Sequence, residues 1–256
     1  MLKFENKQGI VTGAGGGIGL AIAKSLLEEG ATVHLADIDS DKLNVTAGKL
    51  TDYQDRISCH CLDICHADEI TTMLARLNRV DFLVHSAALL NSGSLLEQSA
   101  EQFEQMLAVN LMGSFQILQQ VSQAMVDKKQ GAIVVIGSNA GSTPRLNIGG
   151  YGAAKAGVHM LTKNFALELS RYGIRCNVVS PGSTRTNMLT QTWNDAYGEG
   201  ETLTGDLAQY RLGIPLQKIA EPSDIAQAVL FLLSEAAGHI TMHDLRIDGG
   251  ASLSQI

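Results

Sequence analysis

Between residues 9 and 247 the chain alternates short β-branched or continuous apolar runs with amphipathic helical stretches, which constrains the fold more than any other feature. Strand patterns fall at 9–12, 32–36, 56–62, 81–85, 131–137, 173–179 and 245–247. Helical patterns separate them, at 40–50, 67–77, 99–128, 149–172 and 222–234, with one more ending near Glu29 and closed by Gly30. The run Ile133-Val134-Val135-Ile136 is apolar throughout, as a strand buried on both faces requires. The alternation predicts a single α/β domain, a doubly wound parallel sheet of seven strands flanked by helices. A chain of 256 residues can bury one such core, and no repeat or linker divides it. Residues 1–130 form the expected cofactor half and 131–256 the catalytic half.

Thr12-Gly13-Ala14-Gly15-Gly16-Gly17-Ile18-Gly19 follows the first strand and opens a helix. Glycines allow a tight turn and close approach to a pyrophosphate, and the helix start offers free N–H groups to it. Gly13, Gly17, Ile18 and Gly19 are therefore candidate dinucleotide contacts. Asp37 ends the second strand; a carboxylate there accepts from ribose hydroxyls and repels a 2′-phosphate, and no Lys or Arg lies beside it in sequence. This favours NAD over NADP, against the alternative of a solvated loop acid. Asp63, after the third strand, is a candidate for the adenine amino group or a simple loop cap.

Tyr151 and Lys155 lie one turn apart on one face of a helix. An ammonium beside a phenol favours phenolate, so the expectation is that Tyr151 titrates early and serves as a general base. Ser138 ends the fifth strand, where its hydroxyl can meet the phenol and hold a substrate oxygen. Asn110 is unfavourable inside a long helix and could bind a water linking Lys155 to solvent. Residues 187–215 read as a polar, glycine-containing insertion after the sixth strand, expected to be a flexible lid.

Composition narrows the partners. A net charge of −7 argues against nucleic acid and anionic membranes. The polar start leads straight into a strand, and no apolar run spans a bilayer, so the expectation is a cytoplasmic protein without a signal peptide. Cys59, His60, Cys61, Cys65 and His66 invite a metal reading, but no second ligand cluster of zinc-type spacing exists; buried free thiols are expected, with no metal.

The order Thr-Gly-x-x-x-Gly-x-Gly, Asp63, Asn110, Ser138 and Tyr-x-x-x-Lys resembles the short-chain dehydrogenase/reductases over essentially the whole chain. Pro181-Gly182 with Thr186, and Asp248-Gly249-Gly250, resemble that family too. The resemblance implies a Rossmann fold, hydride transfer with a nicotinamide dinucleotide, and catalysis by Ser138, Tyr151, Lys155 and Asn110. Ser86, Pro181, Thr186, Tyr151 and Lys155 would also contact the cofactor, and a homotetramer is implied. His85-Ser86-Ala87-Ala88 stands where the family usually has Asn-Asn-Ala-Gly or Asn-Ala-Ala-Gly; its residues remain small, but Ala88 lacks the backbone freedom of glycine.

Further strings resemble one branch of the family: Ser142-Thr143-Pro144-Arg145, 173–184, 212–216 and 238–241. That branch oxidises a dihydroxycyclohexadiene carboxylate to 2,3-dihydroxybenzoate for catecholate siderophores, with NAD. The small aromatic-acid precursor needs a cationic partner for its carboxylate. Arg145 is the candidate, against a surface or subunit-contact arginine, with Met188 and Trp193 as candidate ring contacts. The rival readings are a generic alcohol or 3-oxoacyl reductase and, from another class, a nucleotide-sensing binding protein.

Overall fold

The computed structural model describes residues 4–193 and 197–253. The elements run β1 (Gln8–Thr12), α1 (Gly17–Glu28), β2 (Thr32–Asp37), α2 (Ser40–Gly48), β3 (Ile57–Cys61), α3 (Ala67–Leu74) and β4 (Phe82–His85). They continue with α4 (Ala100–Leu107), a π-helical turn (Ala108–Gly113), α5 (Ser114–Val126), β5 (Gly131–Ile136), α6 (Gly149–Ser170) and β6 (Ile174–Pro181). Two short helices, α7 (Asn187–Thr190) and α8 (Glu199–Thr204), precede α9 (Pro222–Leu233) and β7 (Asp244–Ile247).

The strands form one parallel seven-stranded sheet in the order β3-β2-β1-β4-β5-β6-β7. Alternate strand residues feed two cores. Val11, Val33, Leu35, Phe82, Val84, Val134 and Val179 pack on one face with α1 and α9 residues such as Ile22, Leu26 and Val229. Ile10, Leu83, Ile133, Val135 and Cys176 pack on the other with Ile117, Leu118, Val121 and Val158. Burial on both faces is what the uninterrupted apolar runs require. The strand order reverses between β1 and β4, and ligands of such sheets bind in the crevice this opens at the carboxyl edge.

Three expectations need correction. The 99–128 helix is not continuous: the chain widens into a π-turn at Ala108–Gly113, with Asn110 buried inside it. Residues 187–215 are not devoid of regular structure, since they carry α7, α8 and a 3₁₀ turn at Leu207–Gln209. Cys59 and Cys61 are exposed rather than buried, because β3 is the edge strand and its Cys59/Cys61 face is left open to solvent; Cys176 is buried. On the opposite face of β3, His60 meets His34 ring to ring at 5.7 Å. Among the described residues no cluster of His, Cys, Asp or Glu could hold a metal ion, and no helix is long and apolar enough to cross a membrane.

Candidate active site

The glycine turn occupies the crevice between β1 and β4. Gly13 has φ +66°, and a β-carbon there would lie 2.7 Å from the Ala87 nitrogen. Only glycine lets the turn pass so close to the backbone after β4. The first turn of α1 has no side-chain cap and no acid, so its N–H groups stay available to an anion. Gly13, Gly17, Ile18 and Gly19 thus form a cradle that fits the diphosphate of a dinucleotide. Thr186, the N-cap of α7, sits over it: its Cγ2 would be 3.1 Å from a β-carbon at Gly17. Pro181 ends β6 on the same edge of the sheet.

The Asp37 carboxylate accepts from Gly15 N–H at 2.9 Å and from Asp39 N–H at 3.1 Å. It is held rigidly at the rim of the turn. The sequence shows no cation beside Asp37, yet the fold brings one: a β-carbon at Gly15 would meet both Lys42 Cβ, at 2.7 Å, and Asp37 Oδ2, at 3.0 Å. The Lys42 ammonium is bound to Asp39 at 3.0 Å, and that bond, reinforced by the charges of Asp39 and Asp37, raises its pKa. Asp63 lies past the end of β3 and caps its own loop, accepting from Cys65 N–H at 2.8 Å, while His66 stands 3.9 Å from its other oxygen.

His85 explains the unusual segment after β4. Its Nδ1 pairs with Thr12 Oγ1 at 2.8 Å and its Nε2 with Ser114 Oγ at 2.8 Å. Thr12 Oγ1 also accepts from Ser86 N–H at 3.1 Å, so the turn, β4 and α5 are stitched together. Burial, with the Lys155 charge added, lowers the His85 pKa to about 3, so the ring is neutral. Ala88 does not adopt a left-handed backbone, and the missing glycine causes no strain.

Tyr151 and Lys155 are both buried on α6 beside Ser138, which ends the stretch after β5. The Lys155 ammonium donates to the Ile136 carbonyl at 2.7 Å and stands 5.7 Å from the Tyr151 ring centre. Burial lowers its pKa to about 8. Burial also pushes the Tyr151 phenol up to about 12, against the downward pull of its hydrogen bond with the Ser138 side chain. The expected early titration of Tyr151 is therefore corrected: in the protein alone, loss of hydration outweighs the Ser138 hydrogen bond. Asn110 has a further role. Its side chain clamps Leu89, accepting from the N–H at 2.8 Å and donating to the C=O at 2.8 Å. These two bonds position the loop after β4 and leave the second amide N–H for another partner.

On the substrate side, Arg145 is half-buried in the loop between Ser138 and Tyr151. Burial lowers its pKa, as does Arg211, while Asp248 and Tyr197 pull it up; these four side chains share one neighbourhood. Arg211 lies 5.0 Å over the Tyr197 ring. Arg211 comes from a tight β-bridge with Asp206 and carries no sequence signal that points to the site. Arg185 ties the segment down, bonding Glu199 at 2.7 Å and Glu221 at 3.1 Å. Met188 is exposed on α7 and Trp193 half-buried; neither has a described contact with Tyr151. His159, missed in the sequence, lies one turn past Lys155 on the face that carries Tyr151, a spacing that could have flagged it.

The profile of the family described as enoyl-(acyl carrier protein) reductase matches residues 13–252. The vibriobactin-specific 2,3-dihydro-2,3-dihydroxybenzoate dehydrogenase of Vibrio cholerae is 46% identical, with 98% of each chain covered. The 2,3-dihydro-2,3-dihydroxybenzoate dehydrogenase of Bacillus subtilis is 42% identical, covering 98% of this chain and 97% of that one. Among solved structures, ElxO with NADP bound superposes with a TM-score of 0.85 at 27% identity, covering 97% of this chain and 99% of that one.

Proposed function

Because the chain belongs to the short-chain dehydrogenase/reductase family, an oxidoreductase family that uses a nicotinamide cofactor, we propose that it oxidises 2,3-dihydro-2,3-dihydroxybenzoate to 2,3-dihydroxybenzoate. The product would feed catecholate siderophore synthesis, and the cofactor would be NAD. The observation that carries the reading is the similarity over nearly the whole chain to relatives named for this acid, joined by two arginines, Arg145 and Arg211, near enough to feel each other's charge.

An oxidised nicotinamide, when bound, would supply a hydride acceptor and a positive charge. Tyr151, as phenolate, takes the proton from one ring alcohol while hydride leaves that carbon. Ser138 donates to the oxygen and steadies it as it becomes a carbonyl. Lys155, fixed on the Ile136 carbonyl, holds positive charge near the phenol and favours its ionised form. Arg145 and Arg211 bind the carboxylate, and Arg's planar fork suits it. The ketone formed loses a ring proton and tautomerises to the catechol, so aromatisation pulls the oxidation forward.

Asp37 supports NAD over NADP, and the engagement of Lys42 by Asp39 leaves no free ammonium there for a 2′-phosphate. Gly13, Gly17, Ile18, Gly19, Ser86, Pro181 and Thr186 would line the dinucleotide, with Asp63 near the adenine. Met112, Met160 and Leu167 expose apolar surface on the π-turn and α6, which supports a homotetramer; sedimentation would measure it. Residues 187–215 would act as the lid, and a cytoplasmic location follows from the metabolic role.

Replacing Tyr151 with Phe tests the mechanism. Turnover should fall by on the order of a thousandfold or more while NAD still binds. Unchanged turnover would refute it.

A further inference from the structure

Behind Ser138 lies a buried imidazole that the proposed chemistry does not use. His159 is 7% exposed on α6. Its Nε2 lies 3.3 Å from the Ser138 nitrogen and 3.3 Å from Ser180 Oγ, and its Nδ1 lies 3.6 Å from Asp244 Oδ2. Ser180 Oγ in turn donates to Asp244 Oδ1 at 2.5 Å. The chain wraps around the ring from both sides of Ser138. A β-carbon at Gly137 would collide with Nε2, and one at Gly141 would lie 2.8 Å from Cε1. The two glycines make the slot, and the imidazole fills it.

The donors and acceptors determine the tautomer. The Ser138 N–H can only donate, so Nε2 must be the unprotonated nitrogen. Nδ1 then carries the hydrogen and faces the Asp244 carboxylate at 3.6 Å, too long for a hydrogen bond but within its electrostatic reach. Ser180 spends its one hydrogen on Asp244, and its oxygen only packs against Nε2.

We infer that His159 is a positioning residue for catalysis, a neutral template packed beside Asp244 that fixes the 137–141 turn and thereby the Ser138 hydroxyl beside Tyr151. The inference rests on the proposed role of Ser138. It has a built-in acid limit. When His159 takes a second proton, Nε2 becomes a donor, repels the Ser138 N–H and turns to Ser180 Oγ instead. The charged groups facing the ring are Asp244 and Arg246 from β7 and Lys155 and Lys163 from its own helix. The 137–141 turn and β6 face it with neutral groups only: Gly137, Ser138, Gly141 and Ser180. Burial and the three cations outweigh the single carboxylate, so the ring stays neutral into mildly acid pH.

The test uses NAD-dependent oxidation of 2,3-dihydro-2,3-dihydroxybenzoate by the full chain, with His159→Leu, His159→Gln, Asp244→Asn and Ser138→Ala. The leucine fills the slot but cannot accept, so kcat should fall about tenfold with KM for NAD unchanged, the effect of one lost hydrogen bond at a catalytic group. A glutamine carbonyl can accept from Ser138 N–H, so His159→Gln should recover most of the rate and lose the acid limb of the kcat profile. In Asp244→Asn that limb should move to lower pH, an outcome that stands even where the leucine variant fails to fold. A leucine variant with wild-type kcat, or a glutamine variant that keeps the acid limb, overturns the inference. So does a parallel loss of kcat, NAD binding and melting temperature in both His159 variants. If Ser138→Ala alone keeps full activity, it is the catalytic assignment of Ser138 that fails.

Discussion

Around the glycine turn, Asp37 is bonded to Gly15 and Asp39, Lys42 to Asp39, and His85 to Thr12 and Ser114. Across the crevice, neither Arg145 nor Arg211 has a carboxylate within ion-pair distance among the described residues. The first region satisfies its own charges and presents backbone N–H groups to a ligand. The second holds two guanidiniums near one another; burial first and then the Arg211 charge lower the Arg145 pKa, and Asp248 and Tyr197 offset that in part. The difference separates a preformed backbone cradle from a charged surface whose proposed ligand is an acid.

The cradle should be the more brittle of the two. Gly13→Ala forces a β-carbon against the Ala87 backbone at a left-handed position. We expect a loss of on the order of 2–4 kcal/mol in cofactor binding, stability or both, read by calorimetric titration and thermal melts. A variant that binds NAD normally would show the turn to be less rigid than described. Asp37→Ala should come next, shifting the NAD:NADP preference in kcat/KM by about a hundredfold, since it removes both the ribose acceptor and the repulsion of a 2′-phosphate.

On the substrate side, Arg145→Met should raise KM for the acid about a hundredfold, and Arg211→Met about tenfold. A neutral ring alcohol should be affected far less. Equal effects on both substrates would erase the distinction between the two regions.

A separate effect, on stability rather than on ligands, comes with pH. Unfolded His85 takes up a proton near 6.5, whereas the folded ring resists to about 3; His34, lowered chiefly by burial and then by His60, resists to about 4. Their contribution is complete above pH 6.5 and is lost as pH falls below it, by up to about 1.4 kcal/mol per pH unit for each ring. Denaturant melts between pH 7 and pH 4 would show the slope, and His85→Asn should flatten it.

Much of this was legible in the linear chain for physical reasons. Strand and helix periods are local, and so is the glycine turn, which is why the parallel sheet and the turn in its crevice could be read directly. Tyr151 and Lys155 could be paired because helix geometry places them on one face. What could not be read depends on tertiary proximity or on the balance of opposing terms. Lys42 reaches Asp37 only once α2 folds back over the turn. The exposure of Cys59 and Cys61 follows from β3 lying at the sheet edge, which is a property of strand order. Asn110 needed the π-turn, since a regular helix would not offer its amide to Leu89. The direction of the Tyr151 shift turned on burial, which a sequence does not print. His159 was overlooked for a different reason: its partners, Ser138, Ser180 and Asp244, come from three separate stretches of chain.

The central claim is most directly tested by steady-state kinetics of the purified chain on 2,3-dihydro-2,3-dihydroxybenzoate, with NAD and NADP compared in parallel. The account predicts formation of 2,3-dihydroxybenzoate with kcat/KM at least about tenfold higher for NAD. No oxidation of this acid with either cofactor, or a clear preference for NADP, would contradict it.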